Sequence, residues 1–185
     1  MSSTRSGGRS AIVRAKVIAA ASDLVAEKGL QSVTMPEIAQ RASVAPTSLY
    51  RRWGNLGALL LDMAVERLEQ KWPLPNEGSI EKDLKIWSER VAVGLNSSTD
   101  EANFFRVLLA TSDVTPEKRI AALTPRIEQL KSMLERGRAR GEPAPDIDDV
   151  INHLFAPLYL RALVGLPVDK ALAEQLVDRL LTPKK

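Results

Sequence analysis

The sequence contains no cysteine and a single histidine, His153. Disulfide scaffolding, thiolate catalysis and cysteine-ligated zinc are therefore excluded, and one chain cannot assemble a histidine-cluster metal site. Most nucleophilic triads fall with them. Aromatic residues make up only 4% of the chain. Long apolar runs are missing as well. The longest stretch, Leu154 to Leu160, is interrupted by Pro157 and falls far short of the ~20 residues that cross a bilayer. The N-terminus lacks the apolar core of a signal peptide, so the expectation is a cytoplasmic protein with no membrane partner. Neither a GxGxxG nor a Walker phosphate loop occurs. No segment alternates apolar and polar residues over a strand length, and no internal repeat is evident. Acid and base residues do not pair at any recognisable catalytic spacing, so the expectation is a protein that is no enzyme, with no metal and no cofactor.

What is present is the composition of a globular protein: 185 residues, 44% of them hydrophobic and 26% charged. That apolar fraction is too high for bulk disorder, and the length suffices for one or two small domains. The formal net charge of +3 is unevenly spread. Residues 1–60 hold eight basic side chains (Arg5, Arg9, Arg14, Lys16, Lys28, Arg41, Arg51, Arg52) against three acidic ones (Asp23, Glu27, Glu37), which is +5 and leaves −2 for the rest. A basic end on a near-neutral body points to a polyanion at that end.

Helical periodicity accounts for the chain. Residues 1–9 read as a flexible basic tail carrying Arg5 and Arg9. Apolar residues then recur at three- and four-residue steps over 10–28, closed by Gly29. Thr34-Met-Pro-Glu37 has the form of a capping box and opens a short helix that stops near Ala42. Ser43-Val44 makes a turn, and Pro46 opens a helix to Arg52. Further helices are expected over 56–72, 80–96, 101–112 and 115–141 (bent or split at Pro125), then 146–164 and 168–181. The fold class is all-α, with about nine helices.

Function is carried by residues 34–56, where two short helices joined by a tight turn follow a longer one. This is the plan of a helix-turn-helix. Ala39 is small because the second helix crosses above it, and Ile38, Val44 and Leu49 form the small core that sets the crossing angle. Ser43 occupies a left-handed turn position, at a cost of roughly 1 kcal/mol or less. The second helix, preceded by Ala45, opens with Pro46 and presents Thr47, Ser48, Tyr50, Arg51 and Arg52. Thr47 and Ser48 are short enough to reach base edges or phosphates. Arg51 can fork onto guanine for about 1–3 kcal/mol of discrimination, and Tyr50 can donate to a phosphate. Thr34 with the amides of its helix makes a second phosphate position. Trp53 is expected to close the small core.

On Gly29, Val33-Thr34, Ile38-Ala39, Ala42-Ser-Val44 and above all Thr47-Ser-Leu-Tyr-Arg-Arg-Trp53, residues 10–60 resemble the DNA-binding domain of the tetracycline-repressor (TetR/AcrR-type) family of bacterial regulators. Ala156-Pro-Leu-Tyr-Leu-Arg161 resembles a segment of the dimerising helices in one branch of that family. The resemblance implies a helix-turn-helix DNA-binding domain over 10–54 and a helical ligand-binding and dimerisation domain over 55–185. The chain departs from the pattern in having Leu56 and Gly57 where a lysine and a glutamate are usual, and Ala45 where serine or threonine is common.

Two features of the second domain matter. The segment 154–160 is apolar all round, so its two sides need separate cover, and Leu172, Leu176 and Leu180 repeat at four-residue steps. Two such helices from each of two chains would make a four-helix homodimer interface, with Leu154, Leu158, Arg161, Leu172, Leu176 and Leu180 as the expected contacts. A dimer also suits a reader of pseudo-palindromic duplex DNA. The pocket that the resemblance implies is assigned to Met63, Trp87, Phe104, Phe105, Leu108 and Met133, which suits an apolar small-molecule effector. The expected function is a ligand-responsive repressor that binds double-stranded DNA as a dimer. The alternative is an all-helical small-molecule-binding or interaction module of the same fold with little or no DNA reading.

Overall fold

The computed structural model describes residues 6–96, 106–109, 111 and 114–182, without the side chains of residues 6, 7 and 9. Every regular element among them is helical. Helix α1 spans Ser6–Lys28, α2 Met35–Arg41, α3 Pro46–Trp53, α4 Leu56–Lys71, α5 Ile80–Asn96 and α6 Pro116–Ala139. Helix α7 is a continuous stretch made of Ile147–Val150, a π-helical turn Ile151–Phe155 and Ala156–Leu163, and α8 covers Lys170–Leu181.

Three of these differ from the sequence expectation. Residues 6–9, assigned to the flexible tail, are the first turn of α1, because extending an established helix backwards costs far less than starting one. The 115–141 segment is a single helix that runs through Pro125. Arg126, Leu130, Met133 and Leu134 are buried along α6, and that burial outweighs the one backbone bond that proline removes. In α7 the wide turn lies just ahead of Pro157. The proline has no N–H, and its ring crowds the carbonyl four residues back. Opening the turn, so that the Ala156 N–H reaches the Ile151 carbonyl, relieves the crowding. Of the helix expected over 101–112, residues 106–109 are helical and 101–105 lie outside the described residues.

The chain forms two compact units. The first runs to Glu66 and takes in Val107–Ala122; the second comprises Arg67–Arg106 and Leu123–Lys185. The division falls inside α4, later than the boundary expected after Gly54. In the first unit α1 packs on α2 and α2 on α3. Val17, Ile18, Ala21, Leu24, Ile38, Ala39, Leu49 and Trp53 are buried, joined by Leu59, Leu60 and Met63 of α4.

The second unit is built on the pairing of α5 with α8. Its buried cluster includes Ile80, Leu84, Trp87, Val91, Met133, Leu134, Leu154, Leu158 and Val177. Trp87 meets Phe155 edge-on, with ring centroids 4.1 Å apart. Helix α6 passes so close to the start of α5 that a Cβ on Gly137 would lie 3.2 Å from Ile80 Cβ. Carboxylates hold the helix starts: Glu142 accepts from the Ile80 amide at 2.6 Å, and Asp169 from the Leu172 amide at 2.8 Å. Lys85 bridges to Asp178 across the α5–α8 seam at 2.8 Å.

Burial along α5 yields a direct test. Leu84 is fully buried, whereas Val93 is 53% exposed. Leu84→Ala is expected to cost about 2–5 kcal/mol of unfolding free energy in urea titration, and Val93→Ala no more than about 0.5 kcal/mol.

Candidate nucleic-acid interface

The reading head is assembled from caps and one special turn. At the start of α2, Glu37 Oε2 accepts from the Thr34 amide at 3.0 Å and from its hydroxyl at 2.6 Å. Helix α2 ends at Ala42. Ser43 then takes φ 55, the left-handed conformation expected of it, while the Val44 amide returns to the Ala39 carbonyl at 3.0 Å. Ala39 is 1% exposed, and Leu49 and Ile38 are fully buried, so α2 and α3 cross on small and branched side chains. Helix α3 opens on Pro46 and closes on Gly54 at φ 81. The next helix begins immediately, with Asn55 Oδ1 accepting from the Ala58 amide at 2.9 Å.

Trp53, the last residue of α3, is buried, and its indole N–H donates to Asp62 Oδ2 at 2.9 Å. The same carboxylate takes two hydrogen bonds from Arg14, at 2.6 and 3.1 Å, and Arg14 also bonds Glu66. One acid on α4 thus ties down α1 and the end of α3. Asp62 carried no sequence signal beyond its place on a helix, because its partners lie at other points of the chain.

With Leu49 and Trp53 turned inward, Pro46, Thr47, Tyr50, Arg51 and Arg52 are exposed, as is Ala45 before the helix; Ser48 is half-buried. Tyr50 is 49% exposed. The two arginines differ. Arg52 donates to the carbonyl and hydroxyl of Ser10 and lies 5.4 Å from the centroid of the Trp53 ring. Arg51 has no hydrogen-bond or ion-pair partner among the described residues. Thr34, expected as a phosphate contact, has an internal partner in this structure. Its hydroxyl is spent on Glu37, and the carboxylate beside it repels an anion.

Of the expected pocket residues, Met63 and Leu108 belong to the first compact unit and Trp87 and Met133 to the second, while Phe104 and Phe105 lie outside the described residues. Trp87 and Met133 are members of the filled core of their unit. Sequence reasoning missed Arg126, a buried cation that bonds the Trp72 carbonyl at 2.9 Å and lies 5.9 Å from the Trp87 ring centroid. An open groove of about 640 Å³ lies elsewhere on the second unit, lined by Asn152, His153, Pro157, Leu176, Arg179 and Leu180 among others.

The expected dimer contacts also need correction. Leu154 and Leu158 are fully buried in the core of their own unit and cannot meet a second chain. The helical face opposite them carries Leu160, Leu163 and Val164, which are exposed, followed by exposed Leu166. Leu172, Leu176 and Leu180 are partly buried against the core, and Arg161 Nε bonds the Pro167 carbonyl at 3.0 Å. Among the described residues, no cluster of three or more His, Asp or Glu side chains could hold a metal, and no helix is long and apolar enough to cross a membrane.

The Lys28 ammonium, and then the Thr34 hydroxyl, hold the Glu37 carboxyl below the usual glutamate value of 4.5. A depressed carboxyl stabilises the folded state above its unfolded pKa and loses that contribution as pH falls through its folded one. Wild type is therefore expected to lose stability more steeply than Glu37→Gln between about pH 6 and about pH 3, read by urea unfolding at each pH.

Comparison with known proteins agrees with this geometry. Residues 17–63 match the family described as "Bacterial regulatory proteins, tetR family", and residues 74–180 match "Tetracyclin repressor-like, C-terminal domain". The chain is 29% identical over 170 residues to the HTH-type transcriptional regulator YdeS of Bacillus subtilis (strain 168), covering 89% of this chain and 85% of that protein. It is 28% identical over 189 residues to the HTH-type transcriptional regulator AqdR of Rhodococcus erythropolis, covering 98% and 89%. Among solved structures it is similar to the TetR family transcription regulator SCO0332, with a TM-score of 0.76 at 26% identity over 91% of this chain and 96% of that one. A TetR transcriptional regulator from Rhodococcus sp. RHA1 shares the fold, with a TM-score of 0.68 at 17% identity over 96% of this chain and all of that one. With a helix-turn-helix at α2–α3 and both halves of the chain matched, this protein belongs to the tetR family of bacterial regulatory proteins and is a DNA-binding regulator of transcription.

Proposed function

We propose that this regulator is a cytoplasmic, ligand-responsive repressor that holds a pseudo-palindromic operator as a homodimer and releases it when an apolar small molecule binds its helical body. The observation that carries the proposal is the outward face of α3. Thr47, Tyr50 and Arg51 stand exposed on a helix whose opposite side is locked by Leu49 and Trp53. A helix held that firmly on one side can present the other to a major groove without reorganising.

Dimerisation is supported by the exposed apolar residues at the end of α7 and just after it. Leu160 and Val164 are each 60% exposed and Leu163 is 52% exposed, within four residues of one another. A cluster of that kind marks an interaction surface, and a two-fold partner would cover it with the same residues of its own chain. Two heads then meet two half-sites one helical turn apart. An effector that binds more tightly to a dimer with a different head spacing lowers DNA affinity by the ratio of its two affinities.

Selection of bound duplexes from a random pool tests the reading. The recovered sequences are expected to be pseudo-palindromic, and Arg51→Ala is expected to weaken their binding roughly 10- to 100-fold while relaxing preference at one position per half-site. Recovery of sequences no different from the starting pool overturns it. In sedimentation, Leu163→Glu is expected to shift the wild-type dimer toward monomer.

A further inference from the structure

We propose that Lys118, at the start of α6 and far downstream of the helix-turn-helix, is a phosphate-binding residue of the DNA interface. This rests on the reading of α3 as the recognition helix.

The first observation is position. Val107–Ala122 belongs to the same compact unit as the head, so the first turn of α6 is part of the reading unit although it lies outside the motif. Lys118 Nζ stands over the turn between α3 and α4: a Cβ added to Gly54 would lie 3.0 Å from it. Gly54 directly follows Arg51, Arg52 and Trp53. The ammonium therefore continues the basic surface at the end of α3.

The second observation is the pairing of cations in this unit. Away from α3, Arg14 is matched to Asp62 and Glu66, Lys28 to Glu37 and Arg41 to Glu27, whereas Lys16 on α1 is exposed with no such partner among the described residues. Arg119, next to Lys118, turns inward to the Thr111 carbonyl. Lys118 is exposed and finds no hydrogen-bond or ion-pair partner among the described residues, which it shares with Arg51. From Gly54 to Leu61 the chain carries no charge of either sign, so the turn under Lys118 has neither an acid to neutralise it nor a cation of its own. The neighbouring acid, Glu117, is engaged by its own helix start and the Thr115 side chain, which lower its pKa.

The chemistry follows from these two facts. An exposed ammonium with no hydrogen-bond or ion-pair partner among the described residues, at the turn that follows Arg51 and Arg52, is a ready partner for a phosphate oxygen, and neutralising one phosphate releases its condensed counterion. The contact carries no sequence information, because it reads the backbone alone.

The test is equilibrium binding of wild type, Lys118→Gln and Lys118→Arg to the duplex recovered by selection and to a random-sequence duplex of equal length. Salt is varied between about 50 and about 200 mM, and thermal unfolding of each variant is followed in parallel. Lys118→Gln is expected to weaken binding to both duplexes by the same factor, roughly 3- to 10-fold at low salt, and to reduce the slope of log affinity against log salt by about 1. Lys118→Arg is expected to keep the wild-type slope. An unchanged slope for Lys118→Gln overturns the proposal. If affinity and unfolding temperature fall together at that unchanged slope, the lysine only caps the negative end of α3. Arg51→Ala separates the two readings: if it leaves duplex preference intact, α3 is not the recognition helix, whereas a wild-type slope in Lys118→Gln alongside a damaged Arg51→Ala removes only the Lys118 contact.

Discussion

The carboxylate of Asp62 receives the indole N–H of Trp53 and two N–H groups of Arg14, and the orientation of α3 depends on it. Trp53 ends α3, Arg14 stands in the first half of α1, and Asp62 lies on α4. Three helices are thus fixed at one acid that is only partly open to solvent. The charge-assisted bonds to Arg14 are the stronger pair, and the indole bond adds direction. With the end of α3 fixed, Leu49 is held inward, and Thr47, Tyr50 and Arg51 have no direction left but outward. The face proposed to meet DNA is in this sense a product of what happens behind it.

Charge in the head is sorted by the same logic. Acids from α1, α2 and α4 neutralise Arg14, Lys28 and Arg41, and the short helix α2 has its own N-terminus filled by Glu37. What is left over includes a patch at α3 and its following turn, Arg51 and Lys118, that no carboxylate among the described residues touches. Unopposed charge at that place would favour one docking orientation of a polyanion over others. Because an ammonium can reach a surface from any part of the chain, the extent of that patch cannot be read from the motif alone.

In the second unit the deciding constraint is the apolar character of α7. Its inner residues Val150, Leu154 and Leu158 complete the core with α5 and α8, and its outer residues remain uncovered. The π turn before Pro157 belongs to the same accommodation, since it lets a proline sit inside a helix whose inner face is committed to packing. An all-round apolar helix thus serves two purposes at once, and only the burial pattern tells which leucine serves which.

Helix positions were legible from the sequence because period-3.6 patterning and capping residues are local. Ile80–Asn96 falls where the periodicity places it, Ser43 takes the left-handed turn, and the crossing on Ala39 follows from its size. Helix α3 and its exposed face were legible for the same reason. Partner choice was not. That Arg14 and Arg52 are engaged while Arg51 stands free, that Thr34 gives its hydroxyl to Glu37, and that Leu154 lies inside while Leu160 lies outside are decided by contacts between distant segments. Periodicity says which side of a helix is apolar, whereas tertiary packing alone decides what that side meets, because a hydrogen bond or a buried methyl depends on ångström distances that a linear pattern does not encode.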